Sequence, residues 1–261
     1  MSRLALTRRQ LLYGSVEVLA TLAVLGGLWA YTESAHSFYV TPLPKILTVF
    51  QQTWLFADFA TDVVPSLERI FLGYALSVVV GLGLGLALSS SRAVRLAADP
   101  VVSFWRSLPP PALIPLFLVM FGIGTTAKVM VIFFVCVWPI LLNTMDGVAE
   151  LDQTLIDTTR SYKISGLDRL RLLILPAIAP RVAAGMRISL SIAVLILVVS
   201  EYYGSTNGIG FFVLNAETTF SIPQMWAGTL LLGLVGFLLN AAFSAGERHV
   251  LRWHFALREA H

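Results

Sequence analysis

The chain has 261 residues, 57% of them hydrophobic and only 13% charged, where an ordinary soluble domain is roughly half apolar and about a quarter charged. With a mean hydropathy of +0.79, this excludes a disordered, collagenous, disulfide-rich or simple water-soluble protein. The net charge of +3 is too small to draw nucleic acid by charge alone. The single cysteine, Cys136, rules out an intramolecular disulfide and a cysteine-based metal cluster, and reads as a packing residue.

A bilayer core about 30 Å thick calls for about 20 apolar residues per helix, because backbone amides in lipid must be satisfied within the segment. Runs without Lys, Arg, Asp or Glu occupy 70–91, 107–127 and 218–246; shorter or charge-flanked runs lie at 18–32, 129–145 and 182–203, the last holding Arg187 and Glu201. Six spans are expected, at about 16–34, 68–91, 101–123, 126–146, 180–203 and 223–246. A cytoplasmic segment 1–15 precedes them, a cytoplasmic tail 248–261 comes after them, and a long connection joins 147 to 179. With the N-terminus inside, the segments 1–15, 92–95, 160–181 and 248–258 carry thirteen Lys and Arg. Outside lie three, Lys45, Arg69 and Lys128, with Arg106 and Arg187 too near span ends to assign. The asymmetry places both termini in the cytoplasm.

Along the chain, Thr7 to Leu12 looks like a twin-arginine export signal and Val18 to Ala30 like a signal-peptide core. No small-x-small cleavage pattern comes after it, and five later spans make an uncleaved helix the simpler reading. Segment 36–69 is an amphipathic, proline-marked outside connection that re-enters as the second span. There Gly81, Gly83 and Gly85 form a small-residue face that lets helices approach closely.

In the third span Pro109, Pro110, Pro111 and Pro115 cannot all sit in a regular helix. The span must break or begin after a turn. Since irregular backbone at membrane depth requires burial in protein or a cavity, this stretch is either part of the translocation path or a structural kink.

In the long connection, 152–164 is expected as a helix with Leu155, Ile156, Thr159 and Tyr162 on one face. Ser165 and Asp168 are spaced to cap a second helix over 167–175, which Pro176 stops or kinks. This helix pair serves either the membrane interface or a partner protein.

These residues carry a resemblance. The chain resembles the inner-membrane permease subunit of binding-protein-dependent ABC importers, in the nitrate, sulfonate and taurine branch. The family's cytoplasmic signature is Glu-Ala-Ala, three residues, Gly, nine residues, an aliphatic, one residue, Leu-Pro. Aligned on Leu175 and Pro176, the chain offers Asp157, Thr158 and Thr159 for the triplet, Lys163 for the glycine and Leu173 for the aliphatic, with Gly166 three residues late. Further blocks in family order are Pro65 to Tyr74, Asp99-Pro100, Arg106 to Pro109, Leu113 to Phe117, Phe121 to Gly124, Pro139 to Thr144, and Asn207 to Gly210.

The resemblance implies an all-α membrane protein with the type I ABC importer permease (MetI-like) fold and a cytoplasmic coupling helix-turn-helix, residing in the bacterial inner membrane. It further implies a permease dimer, expected as a homodimer, that engages a cytoplasmic ATPase dimer and receives solute from an extracytoplasmic binding protein. The implied coupling residues are Asp157, Thr158, Thr159, Arg160, Lys163, Gly166, Arg169, Arg171, Leu175 and Pro176. The implied solute is a small organic or inorganic anion such as sulfonate, taurine or nitrate, although similar permeases serve vitamin or pyrimidine precursors.

ATP with magnesium would be used by the partner, and no cofactor is expected on this chain. No Gly-x-x-x-x-Gly-Lys-Ser/Thr occurs, and none of the 19 glycines precedes a lysine, so the usual phosphate-cradling loop is missing. Energy must come from another subunit or from an ion gradient.

Ionisable residues within spans are site candidates. For the translocation path these are Arg106 beside Pro109, Pro110 and Pro111, together with Arg187 and Glu201. Glu201 lines a cavity mouth or pairs with a base. Arg187 meets an anion or extends to the interface. A self-contained ion-coupled carrier is the alternative, though a carboxylate relay and an inverted repeat are not evident. A membrane enzyme would need paired acids or a histidine cluster, and His36, His249, His254 and His261 lack ligand spacing.

Overall fold

A computed structural model of the chain describes residues 39–253 apart from Ser165, with isolated positions between 20 and 31, and leaves aside the side chains of residues 55–57, 153 and 160. The expected N-terminal segment 1–15, most of the span at 16–34, and 254–261 lie outside the described residues.

The elements are helical. In chain order they are α1 (Leu43–Gln51), wide π-type turns at Gln52–Ala57 and Phe59–Val63, α2 (Val64–Leu88), α3 (Arg92–Arg106), α4 (Pro110–Phe121), α5 (Thr125–Ala149) and α6 (Gln153–Ser161). Then come α7 (Gly166–Arg169), π-type turns at Leu170–Ile174, α8 (Leu175–Tyr202), α9 (Ile209–Thr218) and α10 (Ile222–Val250). Among the described residues, Phe59–Leu88, Thr125–Ala149, Gly166–Tyr202 and Ile222–Val250 are long and apolar enough to cross a membrane, and the pair α3 and α4 adds a fifth if counted as one broken span.

The centre of the bundle is α5, packed most extensively on α2 and α8. Ile70, Ile114, Ile132, Cys136, Ala193, Ile196 and Leu197 meet there. Apolar side chains gain little by leaving lipid for one another, so close backbone approach has to supply the contact. Gly73, Ser77, Gly81 and Gly85 recur every four residues along α2 and are all buried. A Cβ at Gly81 would lie 3.0 Å from Ile140, and one at Gly85 would lie 2.6 Å from the Cβ of Thr144. Gly83, expected on the same face, meets nothing within 4 Å, because a step of two residues along α2 turns it away. On the other side of α5, a Cβ at Gly185 would sit 2.7 Å from the carbonyl of Pro139. There Ser189 donates to the Cys136 carbonyl at 2.7 Å and the Cys136 thiol donates back to the Ser189 carbonyl at 3.3 Å.

The 101–123 stretch is two helices meeting at 89°. Pro109 is extended and precedes the helix, and Pro110 and Pro111 fill the first turn of α4, where no amide donor is needed. Only Pro115 lies inside α4. With 12 residues, α4 is about 18 Å long and too short to cross a bilayer core alone.

The connection after α5 departs from expectation. The first helix spans Gln153–Ser161, and the Asp152 carboxylate accepts from the Thr154 amide at 2.8 Å, which holds that acid below its ordinary range. Of the four residues expected on one face, Thr159 is buried and Ile156 half-buried, while Leu155 and Tyr162 are 45% and 76% exposed. The expected second helix over 167–175 is helical throughout but is not separate from the helix after it. The chain passes from α7 through the π-type turns straight into α8, one run over Gly166–Tyr202. Pro176 does not stop it: the proline falls in the first turn of α8, and the wide turns before it shift the hydrogen-bond register.

Candidate functional site

Three places gather the chemistry-bearing residues. The first is a buried knot where α2, α8 and α9 meet. Arg69 is 3% exposed and Glu201 fully buried, and Arg69 Nη1 donates to Glu201 Oε1 at 2.6 Å. Ser66 donates to the same oxygen at 2.7 Å, and the Gly210 amide donates to Glu201 Oε2 at 2.8 Å. Arg69 also reaches the Asn207 carbonyl at 3.1 Å and Asn207 Oδ1 at 2.5 Å. Ile209 donates its amide to Ser66 at 2.9 Å, and Gly208 donates its amide to Asp62 at 2.7 Å.

Asn207 to Gly210 is therefore fastened at every residue. Both glycines are required by contact: Gly208 has φ +118°, and a Cβ there would be 2.5 Å from the Glu201 carboxyl; one at Gly210 would be 2.8 Å from the Val198 carbonyl. So Glu201 does not line a cavity. Of its two readings, the structure shows the ion pair.

Two charges assigned to outside segments need correcting. Arg69 lies in this knot, and Lys128, 2% exposed, lies in α5 with its ammonium on the Gly124 carbonyl at 3.3 Å. Neither is a loop charge. Arg69 was legible in part: Asp62, Ser66 and Arg69 recur at i, i+4 and i+7, one face of a helix.

The second place is a groove of about 530 Å³ between α3, α4, α5 and α8, lined by Trp105, Arg106, Pro110, Pro111, Phe134, Trp138 and Asn143 among others. Its neighbours on α5, Phe134 to Asn143, lie in the middle of that helix. Trp105, Phe134 and Trp138 form successive edge-on pairs with centroids 5.6 Å apart. Arg106 is exposed into this space and pairs with no acid among the described residues. Pro109 adjoins the groove without lining it. Arg187 lies elsewhere, its guanidinium paired with Glu247 and tying α8 to α10, so it neither meets the groove nor stretches alone to an interface.

The third place is α6 and the turn into α8. Asp157 and Thr158 are exposed, with the Thr158 hydroxyl on the Thr154 carbonyl at 2.7 Å. Thr159 turns inward and its hydroxyl reaches the Ile156 carbonyl at 2.7 Å. The side chain of Arg160 lies outside the described residues. The helix ends in a left-handed turn: Ile164 donates its amide to the Thr159 carbonyl at 2.8 Å, five residues back, and Lys163 has φ +55°. This is the helix-ending turn that favours glycine, and a lysine there costs roughly 1 kcal/mol.

Gly166 has φ +61° and starts the next element. Arg171 is exposed, Arg169 and Leu175 half-buried, and Pro176 exposed. At the neighbouring helix ends Arg95 joins α3 to Asp146 at 2.9 Å, and Arg181 pairs with Glu150.

Residues 77–253 match the family model for the binding-protein-dependent transport system inner membrane component. The chain belongs to that family. Among relatives of this permease is the taurine transport system permease protein TauC of Escherichia coli (strain K12), 31% identical over 90% of this chain and 89% of that protein. Another is the nitrate import permease protein NrtB of Leptolyngbya laminosa, 30% identical over 87% of this chain and 84% of that protein. In fold, the permease is similar to a chain of the inward-facing MetNI methionine ABC transporter, with a TM-score of 0.66 at 20% identity, covering 76% of this chain and 97% of that one. It is thus an ABC permease of the nitrate, sulfonate and taurine branch, all-helical and MetI-like.

Proposed function

We propose that this permease is the gate of an ATP-driven importer for a small anion, worked by a separate ATPase dimer that grips α6 and the turn into α8. The observation that carries this is the left-handed turn at Lys163, which falls where the family signature places its glycine. The triplet Asp157, Thr158 and Thr159 then lies one turn before it, on a short helix that presents Asp157, Leu155 and Tyr162 to solvent. Because the wide turns run directly into α8, a displacement of α6 would be passed along a continuous helix to the middle of the bundle. Such an element has two positions, and nucleotide binding by the partner would bias them. Arg160, Lys163, Gly166, Arg169, Arg171, Leu175 and Pro176 complete the contact.

In the same reading two identical copies enclose the path. Six spans with both termini in the cytoplasm set the chain in the bacterial inner membrane, and a binding protein delivers the solute from outside. Arg106, with Pro109, Pro110 and Pro111, lies on the path. An anion as solute is supported by that guanidinium, which pairs with no acid among the described residues, and by the taurine and nitrate permeases among the relatives. A self-contained ion-coupled carrier is less well supported, since Glu201 is fastened by Arg69, Ser66 and Gly210 instead of standing free to take up a proton or sodium ion.

The test is to purify the complex from cells expressing Asp157→Lys or Tyr162→Ala. Tyr162 is exposed, so its replacement should change permease stability by no more than about 0.5 kcal/mol, and the melting temperature of the Asp157→Lys permease is read beside its recovery. A buried interface anchor is worth about 2 kcal/mol or more, so ATPase recovery and solute uptake should fall at least about tenfold. If both variants keep the ATPase and full uptake, this segment is not the handle.

A further inference from the structure

We propose that Lys128 is the second partner of Glu201, and that the carboxylate passes from Arg69 to Lys128 when the ATPase drives the bundle to its other position; this rests on the reading that a separate ATPase works the gate. The first premise is level. A Cβ at Gly73 of α2 would lie 2.7 Å from Ile132 and 2.9 Å from the Val129 carbonyl of α5. Gly81 and Gly85 meet Ile140 and Thr144 at equal steps further along both helices, so α2 and α5 run parallel and in register. One turn before the Gly73 contact lie Arg69 on α2 and Lys128 on α5. From α8, Ser200 shares a small void with Lys128, and Glu201 is the next residue. The charges that act on the Lys128 ammonium are those of Arg69 and Glu201.

The second premise is the balance of charge. Two buried bases and one buried acid meet at this level. Arg69 takes the acid. Lys128 is left with the Gly124 carbonyl at 3.3 Å and pairs with no acid among the described residues. A buried base without a counter-charge is costly, and an ionisable group inside a membrane-spanning segment is by default a functional one whose partner has to be identified. Glu201 is the acid within reach. The third premise is that the exchange strands no charge. Arg69 keeps the carbonyl and Oδ1 of Asn207 at 3.1 and 2.5 Å, and the half-buried Asp62, two turns before it, acts on the same guanidinium. What the exchange releases is the Gly210 amide and Ser66, both held by Glu201. The tie between α2 and the α8–α9 turn therefore opens while α8 stays joined to α5, the centre of the bundle.

The experiment uses the intact permease–ATPase complex in lipid nanodiscs, once free of nucleotide and once trapped with ATP, magnesium and vanadate. Hydrogen–deuterium exchange of the peptide carrying Gly208 to Gly210 reads the turn. In the native complex, trapping should speed exchange there about tenfold, because the Gly210 amide loses a charged acceptor. Lys128→Met keeps the length of the side chain and removes its charge. It should abolish the rise while leaving the melting temperature of the nucleotide-free complex unchanged or higher, since no ion pair is lost in that state.

Unchanged exchange in a native complex that has trapped nucleotide would overturn the proposal, because Glu201 then keeps one partner throughout. An equal rise in Lys128→Met would mean that the turn opens without the lysine, and a lowered melting temperature of that variant would make Lys128 a structural base of the nucleotide-free state. Trapped nucleotide is measured on the same samples, so each of these results refutes the exchange and leaves the importer reading standing. Failure of any ATPase to purify with the native permease would refute that reading and the exchange with it.

Discussion

Arg69→Met and Glu201→Gln, made singly, are each expected to lower the unfolding free energy of the permease by about 3–5 kcal/mol, since removing one partner of a buried ion pair leaves the other uncompensated. Here the penalty is compounded by the number of groups held. Glu201 accepts from Arg69, Ser66 and the Gly210 amide, while Arg69 also holds both oxygens of Asn207. Losing either side releases the turn between α8 and α9. The double variant should be less damaged than the sum of the singles, with a coupling of about 1–3 kcal/mol. Denaturant unfolding in nanodiscs, monitored by tryptophan fluorescence, provides the cycle. Additive losses would mean that the two residues act independently and that the knot is not one unit.

The second large effect concerns α2. Gly85→Leu is expected to destabilise the bundle by about 1–3 kcal/mol or more through overpacking, because its first side-chain atom would lie 2.6 Å from the Cβ of Thr144 and 3.0 Å from the Leu141 carbonyl. Gly81→Leu should behave likewise against Ile140 and the Val137 carbonyl. Gly83→Leu, only two residues from each, meets open space and should be nearly neutral. Melting temperatures of the three variants in one membrane mimic decide it. Equal sensitivity at all three would place the packing face elsewhere.

The share of this fold that is legible in the sequence depends on the range of each signal. Apolar length reports a helix that can span, so the runs around 70–91, 129–145, 182–203 and 218–246 pointed at α2, α5, α8 and α10. The proline cluster announced a break, because a missing donor is a local fact. It could not reveal that the break faces the middle of α5, which is a long-range one. Glycine spacing was ambiguous for the same reason: Gly81, Gly83 and Gly85 look alike until α5 is placed beside one face.

Charge counting took Arg69 and Lys128 as residues of outside segments, whereas both are buried within helices. Only a three-dimensional partner distinguishes a loop arginine from one bound to Glu201. In the connection after α5, Pro176 read as a stop or kink because a π-type turn leaves no compositional mark, whereas the left-handed Lys163 sits where the signature has its glycine.

The most direct measurement is solute accumulation in proteoliposomes holding the permease alone, the permease with its ATPase, and the permease with ATPase and binding protein, each with ATP inside the compartment the ATPase faces. The expected result is accumulation against a gradient only in the full assembly, and its loss on Asp157→Lys. Uphill accumulation by the permease alone, sustained by an imposed proton or sodium gradient, would contradict the claim that a separate motor drives this gate.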